Sequence, residues 1–232
     1  MKRFLLILLA PISLMQMGQP FLIGISTAIT GSAVMLAFPA KLKADNASYY
    51  FTRGVEKGEL QGDHLGAISE LTKAIELSPK FGDAYQVRGW NKSQIGDYVG
   101  AINDYKIALQ LDSIFSNDSD IHYALGNVYG KMGNYEGAIS NYSLAIDLDP
   151  PAVFLKSAHN RRGITYYRLG NIDGALFDFN LAILLDSNFG RAYLFRGLAY
   201  KKTGYMKRAC DDWRKAASLK NLDAAELVSN EC

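Results

Sequence analysis

Small residues recur in this sequence at a nearly constant interval, and this repeat limits the fold more than any other feature. One set of glycines is spaced by 34 to 37 residues, at Gly54, Gly89, Gly126, Gly163 and Gly197. A set of alanines is spaced by 34 or 37 residues, at Ala67, Ala101, Ala138, Ala175 and Ala209. A period near 34 residues is typical of a helical hairpin, which buries its apolar face only against a neighbouring copy. The sequence therefore predicts an all-α solenoid of about five antiparallel helix hairpins.

The predicted units cover most of the chain and end in a cap. The five repeats occupy residues 47–80, 82–115, 119–152, 156–189 and 190–221. Because the last apolar face of a solenoid must be covered, residues 222–232 are predicted to form a capping helix with Leu222, Ala225 and Val228 on its apolar side, and with Ala224 as a further candidate for that side. Two of the intervals are longer by three residues, within 112–120 and 149–156, and we expect these additions to lengthen loops.

Glycine also marks the turn of every predicted hairpin. The first helices are expected to end where a left-handed residue is favoured, at Gly62, Gly96, Gly133, Gly170 and Gly204. The earlier glycines lie inside the first helices, where glycine costs about 0.5–1 kcal/mol relative to alanine. Since they recur despite this cost, we predict that each one faces the alanine of its second helix, so that the two backbones approach closely.

A charge correlation links the two helices of each unit. Arginine precedes the framework glycine in four units, and in the same four units the residue three places after the framework alanine is acidic. The third unit has Leu125 and Asn141 at these two places. We therefore predict an ion pair within each of the other hairpins, namely Arg53–Glu70, Arg88–Asp104, Arg162–Asp178 and Arg196–Asp212.

Residues 1–44 differ from the repeats in composition. They contain four basic residues and no acid, and residues 4–40 carry no charge at all. A short basic lead before an apolar run is typical of an export signal. Three interpretations stay open: a signal peptide cleaved near residue 40 or 44, an uncleaved anchor over residues 21–38, or two short spans with both basic ends cytoplasmic. Export, with or without cleavage, is favoured over cytoplasmic placement.

The framework resembles that of the tetratricopeptide repeat (TPR) family. The resemblance covers roughly residues 47–221 and includes the turns GDYVGAI and GNYEGAI and the large residue four places after the alanine, at Leu71, Tyr105, Tyr142, Phe179 and Trp213. It implies a right-handed superhelix of helix pairs whose concave groove binds partner segments.

The resemblance also implies which side chains face the groove. By this resemblance the second, fifth, ninth, twelfth and thirteenth places of each first helix face inward, counted from residues 82, 119, 156 and 190. The candidates at these places are Gln86, Trp90, Gln94, Tyr123, Asn127, Lys131, Asn160, Ile164, Tyr167, Arg168, Leu194, Leu198, Lys201 and Lys202. Three of these share one place, Lys131, Arg168 and Lys202, and form either a basic ladder for a ligand or a set of cations favoured by the helix dipole. Only Asn127 fits the Lys/Asn clamp of the family's chaperone adaptors.

The two cysteines are placed symmetrically about a predicted helix boundary. Cys210 and Cys232 lie eleven residues on either side of Asn221, so a helix pair turning there would bring them together. We expect a disulfide if the repeats are exported and two free thiols if they are cytoplasmic.

Motifs for catalysis and metal binding are missing from the sequence. There is no phosphate-binding loop, no GxSxG and no HExxH. His64, His122 and His159 lack partners at metal-ligand spacing and are expected on exposed turns or helix surfaces. The formal net charge of +2 provides no basic field for nucleic acid. We therefore expect no catalytic residue, cofactor, metal or small-molecule substrate.

The functional expectation is a protein–protein interaction scaffold that is exported or tethered at the cell envelope. Its partner would be a protein or peptide in the groove, with membrane contact through residues 1–44 if these are not cleaved. The alternative is a cytoplasm-facing, membrane-anchored assembly factor or chaperone for a membrane protein complex. A third reading is a regulatory subunit of an enzyme.

Overall fold

The structure, a computed structural model, describes residues 40–111, 118–148 and 151–232. Within these ranges every regular element is helical and none is a strand, which confirms the predicted fold class. The interpretations of residues 1–39 as a signal peptide or an anchor lie outside the described residues. So does the expected longer loop over residues 112–117.

Ten of the described helices pair into five hairpins, and one more follows them. The first helices are α1 (Ala40–Val55), α3 (Gly82–Gln94), α5 (Asp118–Lys131), α7 (Ala152–Leu169) and α9 (Gly190–Lys202). The second helices are α2 (His64–Leu77), α4 (Tyr98–Gln110), α6 (Tyr135–Asp147), α8 (Ile172–Leu185) and α10 (Met206–Ser218). The last helix is α11 (Leu222–Glu231). Each second helix also packs on the first helix of the next unit, which builds a solenoid.

The hairpin turns have one design throughout. All five turn glycines have positive φ, between 68° and 84°, as predicted. In four units an Asp or Asn follows the turn and caps the second helix, its side-chain oxygen accepting the N–H of a glycine three residues on, at Asp63, Asp97, Asn134 and Asn171. Such a cap stabilises a helix by about 1 kcal/mol. The fifth unit has Tyr205 there, without a side-chain cap.

The first hairpin has an extra residue, which a π-helical turn accommodates. Gly54 and Gly62 are eight positions apart, whereas the corresponding glycines of the other units are seven apart. The chain forms a π-helical turn over Glu56–Leu60, directly after α1. Gly58 within it lies against α3, since a Cβ there would be 2.4 Å from Oδ1 of Asn91. The wider turn keeps the framework glycine and the turn glycine in register with the other units.

Each framework glycine packs mainly against the large residue of the second helix rather than against the alanine. A Cβ at Gly126 would be 2.6 Å from the ring of Tyr142, and one at Gly197 would be 2.4 Å from Trp213. The prediction of a glycine–alanine contact is therefore incomplete. The alanine lacks bulk, which brings the helices together, but the large side chain four places later fills the space under the glycine.

Two first helices begin earlier than expected. Helix α1 begins at Ala40 and α7 at Ala152, whereas the repeats predict starts near residues 47 and 156. In α7 the additional residues lengthen the helix, so the expectation of a longer loop is wrong for residues 152–156. Pro151 caps α7 with φ −50°, and proline at a helix start loses no intrahelical hydrogen bond.

Helix α11 covers the fifth unit as predicted, and the predicted apolar side is correct in part. Ala224 is fully buried, and Leu227 and Val228 pack against the core of the fifth unit. Leu222 is 82% exposed and Ala225 is also exposed, so the predicted apolar side is wrong at these two residues. The reason is helical spacing: residues 224, 227 and 228 lie at i, i+3 and i+4 and share one side of the helix, whereas residues 222 and 225 project from other sides.

Candidate binding groove

The first helices α3, α5, α7 and α9 line a cavity of about 410 Å³ on one side of the solenoid. Its wall includes the predicted groove residues Trp90, Gln94, Asn127, Lys131, Ile164 and Arg168. A second cavity of about 410 Å³ adjoins it towards the first unit, and its wall includes the predicted residues Gln86, Trp90, Tyr123 and Asn127. Four residues line both cavities, namely Trp90, Tyr105, Ala124 and Asn127. The two cavities together define the candidate groove.

The remaining predicted groove residues lie elsewhere. Leu194 and Leu198 line a separate cavity between α9 and α11. Asn160 is only 2% exposed, and Oδ1 of its side chain has no hydrogen-bond partner among the described residues. Lys202 lies over the ring of Tyr167 at 5.1 Å. Lys201 binds Oε1 of Glu231 on α11 at 2.6 Å, since the capping helix occupies the space beside this unit.

A buried hydrogen bond fixes the centre of the groove. The hydroxyl of Tyr142 donates to Oδ1 of Asn127 at 2.9 Å. Burial raises the pKa of Tyr142 above its ordinary value, so the phenol stays protonated and keeps donating. This hydrogen bond therefore fixes the position of the side-chain oxygen of Asn127 and the orientation of its amide group.

Four cations gather in the first cavity, and we call them the basic wall: Lys131, Arg161, Arg168 and Arg191. No acidic side chain is found among the described residues that line this cavity. Desolvation by the groove wall, followed by repulsion from Arg161, lowers the pKa of Arg191, while Tyr123 and Asp223 act weakly in the opposite direction. Of the predicted ladder of Lys131, Arg168 and Lys202, the first two line this cavity and Lys202 does not.

Arg161 and Arg191 are members of the wall that the sequence reasoning missed. Arg191 occupies the second place of the fifth unit, which the family resemblance assigns to the inward face. The sequence pattern therefore indicated that this residue could line the groove. Arg161 follows the fifth place of its helix, a position that the resemblance does not assign to the inward face, so the repeat pattern did not indicate that it lines the cavity.

The second cavity differs from the first in its ionisable residues. Its described lining includes Glu59, Asp83 and Asp120 and no basic residue. Burial raises the pKa of Asp120 above its ordinary value. The ionisable residues of the lining therefore change from basic to acidic along the groove, with Trp90 at the boundary.

The predicted intrahairpin ion pairs line neither cavity and hold the hairpins instead. Arg88, Arg162 and Arg196 each form two parallel hydrogen bonds of 2.7–2.9 Å with a buried aspartate, at Asp104, Asp178 and Asp212. Hydrogen bonding to Asp212 raises the pKa of Arg196. The first-unit pair is looser, since Nη2 of Arg53 is 3.6 Å from Oε1 of Glu70 and the arginine side chain is 44% exposed.

The same arginines also reach the preceding unit, which was not predicted. Their Nη1 atoms donate to a polar side chain on the neighbouring second helix, in the pairs Arg88–Thr72, Arg162–Ser143 and Arg196–Asn180. The third unit has Leu125 in place of arginine, and the corresponding place of the second unit holds Lys106. Each arginine therefore joins three helices and two repeats.

The histidines differ from the expectation of exposed surface. His159 is buried, and its Nδ1 lies 2.8 Å from Oδ1 of Asp178. His122 and His64 are half-buried, and each lies beside an asparagine, Asn141 at 3.2 Å and Asn91 at 3.0 Å. The expectation is wrong for His122 and His159 because a histidine one turn before the framework glycine faces the second helix. It is wrong for His64 because this residue, the first of α2, faces Asn91 of α3.

A stack of helical hairpins with a lined concave side defines a helical-repeat protein of the solenoid class, built for protein–protein interaction. Models of the tetratricopeptide repeat match residues 119–150, 157–189 and 190–225, and a TPR repeat model matches residues 94–133. The chain belongs to the tetratricopeptide repeat family. No curated protein matches its sequence.

Solved structures of this fold include several close in shape. A MamA structure is 26% identical, with TM-score 0.62 over 73% of this chain and 96% of MamA. YrrB, described as a TPR protein with an unusual peptide-binding site, is 20% identical, with TM-score 0.63 over 83% of this chain and 98% of YrrB. PilF of Pseudomonas aeruginosa is 19% identical, with TM-score 0.68 over 80% of this chain and 81% of PilF.

Two further properties concern only the part of the chain that the structure describes. No group of three or more histidine, cysteine, aspartate or glutamate side chains is arranged to hold a metal ion there. None of the helices in the described ranges has the length and apolar character needed to cross a bilayer.

Proposed function

We propose that this chain is a non-enzymatic scaffold that holds a segment of a partner protein in its concave groove. The observation that carries the proposal is the pair of adjoining cavities lined by first helices, with the side chain of Trp90 at their boundary and 37% exposed. Large aromatic side chains in a concave site are typical anchors for a partner. The peptide-binding site described for YrrB supports the same use of the fold.

We further propose that the scaffold works at the cell envelope, exported or tethered. Two features support this location: the uncharged residues 4–40 behind a basic lead, and the disulfide between Cys210 and Cys232. Disulfides persist in oxidising compartments and are rare in the cytosol. Residues 1–44 would supply a membrane contact if they are not removed.

The alternative is a cytoplasm-facing, membrane-anchored assembly factor for a membrane complex. It is favoured by the basic residues at both ends of the apolar segment, Lys2, Arg3, Lys41 and Lys43. Two short spans would leave both ends in the cytoplasm, where basic residues flanking a membrane span are usually found. Fractionation with and without inhibition of signal peptidase separates the two placements.

Site-specific photocrosslinking in the native host tests groove binding. A benzophenone amino acid replaces Trp90, and the matched control replaces Phe177, which is 61% exposed and lines neither cavity. The proposal predicts a discrete crosslinked partner from position 90 and none from position 177. Equal crosslinking from both positions, or crosslinking from position 177 alone, would move the interaction to another surface.

A further inference from the structure

We propose that the partner segment is acidic and that its Asp or Glu side chains bind the basic wall, chiefly Arg161 and Arg191. This inference rests on the proposed function and specifies the chemistry of the ligand. The basic wall comes from three successive first helices, since Lys131 lies on α5, Arg161 and Arg168 on α7, and Arg191 on α9. All four line one cavity.

The four cations of the basic wall converge on one cavity whose described lining has no acidic side chain. Elsewhere on the first helices, Arg88, Arg162 and Arg196 each bind an aspartate, and Lys156 and Lys201 bind Asp186 and Glu231. None of the four wall cations forms an ion pair with a carboxylate of the described chain. The rings beside Lys131 and Arg168, Tyr98 and Tyr135, orient these cations without cancelling their charge.

Like charges in one cavity repel. Burial lowers the pKa of Arg191 most, the charge of Arg161 lowers it further, and Tyr123 and Asp223 act in the opposite direction. An anion placed between Arg161 and Arg191 would remove that repulsion. A carboxylate suits the site because a guanidinium presents parallel N–H donors that match its two oxygens.

The remaining lining favours a peptide over a nucleic acid. Ile164, Phe195 and Trp90 line the same cavity as the four cations, so aliphatic or aromatic residues of the ligand have a place beside its acids. The described lining of the adjoining cavity has no basic residue, so it offers no cation to a continuous phosphate backbone. The ligand that fits is a peptide with acidic residues interleaved with apolar ones, positioned over units three to five.

Binding of defined peptides to the full-length protein in a non-ionic detergent tests the inference. The probe is a fluorescein-labelled peptide, acetyl-Gly-Glu-Asp-Leu-Glu-Trp-Asp-Glu-Gly-amide, which has no terminal carboxylate. Its control has every Glu and Asp replaced by Gln and Asn. By fluorescence anisotropy we expect the acidic peptide to bind at least about tenfold more tightly, with a preference that weakens as salt is added.

Matched variants locate the preference. The double variant Arg161→Gln/Arg191→Gln should lose the preference for the acidic peptide by about tenfold or more. The control Lys106→Gln/Lys207→Gln removes the same charge from exposed residues outside both cavities and should change affinity less than about twofold. A charge-reversed variant, Arg161→Glu/Arg191→Glu, should prefer a peptide with Lys in place of the acids.

The outcomes separate this inference from the proposed function. Equal affinity for acidic and amide peptides, or a preference that survives the Arg161→Gln/Arg191→Gln change, would overturn the inference. If photocrosslinking from position 90 still captures a partner in that case, groove binding stands and only the ligand chemistry is wrong. If position 90 captures nothing, the groove itself is excluded.

Discussion

Arg162 makes contacts on three helices, and this connectivity is the main residue-scale feature of the fold. It binds Asp178 through two hydrogen bonds within its hairpin and donates to Ser143 of the preceding unit. Arg88 and Arg196 repeat the arrangement. A buried carboxylate that loses its only cation is strongly destabilising, whereas an exposed pair contributes little.

Replacing Arg196 should therefore cost far more stability than replacing Arg53. Arg196→Met leaves the buried carboxylate of Asp212 unpaired, and we expect a loss of about 3–5 kcal/mol in the free energy of unfolding. Arg53→Met breaks an exposed contact of 3.6 Å and should leave the free energy of unfolding almost unchanged. Urea unfolding followed by far-ultraviolet circular dichroism measures both. Similar losses in the two variants would show that the arginines act by packing alone.

Two glycines of α5 provide a second test at the residue scale. A Cβ at Gly126 would overlap the ring of Tyr142 at 2.6 Å, but one at Gly130 meets nothing closer than 3.9 Å. Gly126→Ala should destabilise by about 1–3 kcal/mol through overpacking. Gly130→Ala should stabilise by about 0.5–1 kcal/mol, because alanine is the better helix former. Thermal unfolding of the two variants decides the matter, and a gain of stability for Gly126→Ala would contradict the packing described.

The sequence could predict which arginine pairs with which acid, because both places recur in register and fail together at Leu125 and Asn141. That correlation alone could not predict the hydrogen bond from each arginine to the preceding unit. A second pattern does indicate it. The units that precede an arginine have Thr72, Ser143 and Asn180 at the matching place, and the unit that precedes Leu125 has Lys106 there. A lysine facing an arginine would repel it, so the two places vary together.

At the scale of elements, the predictions failed at a helix face and at helix ends. Helix α11 packs Ala224, Leu227 and Val228 against the fifth unit, whereas Leu222 and Ala225 are exposed. The apolar residues alone allowed either face, because a short helix can rotate by one position without losing its pattern. Likewise the spacing of units three and four revealed extra residues but not that they extend α7.

The face of the capping helix can be tested by paired truncations. Leu227→Ala removes a side chain that packs on the fifth unit and should lower the free energy of unfolding by about 1–2 kcal/mol. Leu222→Ala removes a side chain that is 82% exposed and should change it by less than about 0.5 kcal/mol. Chemical denaturation compares the two. A larger loss for Leu222→Ala would restore the face predicted from the sequence.

At the scale of the whole molecule, the periodicity determined the class of fold and the number of hairpins. The curvature of the stack, by contrast, decides which side chains meet in the groove. It brings Arg161 and Arg191 into one cavity with Lys131 and Arg168 and leaves Lys202 beside Tyr167. Curvature depends on how each second helix packs on the next unit, and no local pattern reports it.

The compartment makes its own prediction for the cysteines. If the repeats are exported, Cys210 and Cys232 form their disulfide in the native host, and both should resist alkylation until a reductant is added. Mass spectrometry of cells quenched in acid and then treated with an alkylating reagent reads this directly. Two thiols alkylated without reductant would favour the cytoplasm-facing alternative.

The most direct test of the account is hydroxyl-radical footprinting of the unsubstituted protein with and without the partner that crosslinking identifies. Trp90 and Phe154 line the groove, and Phe177 and Tyr205 are exposed outside it. A partner segment held in the groove predicts that oxidation of Trp90 and Phe154 falls on binding while that of Phe177 and Tyr205 does not change. Protection of Phe177 or Tyr205 with Trp90 still oxidised would contradict it.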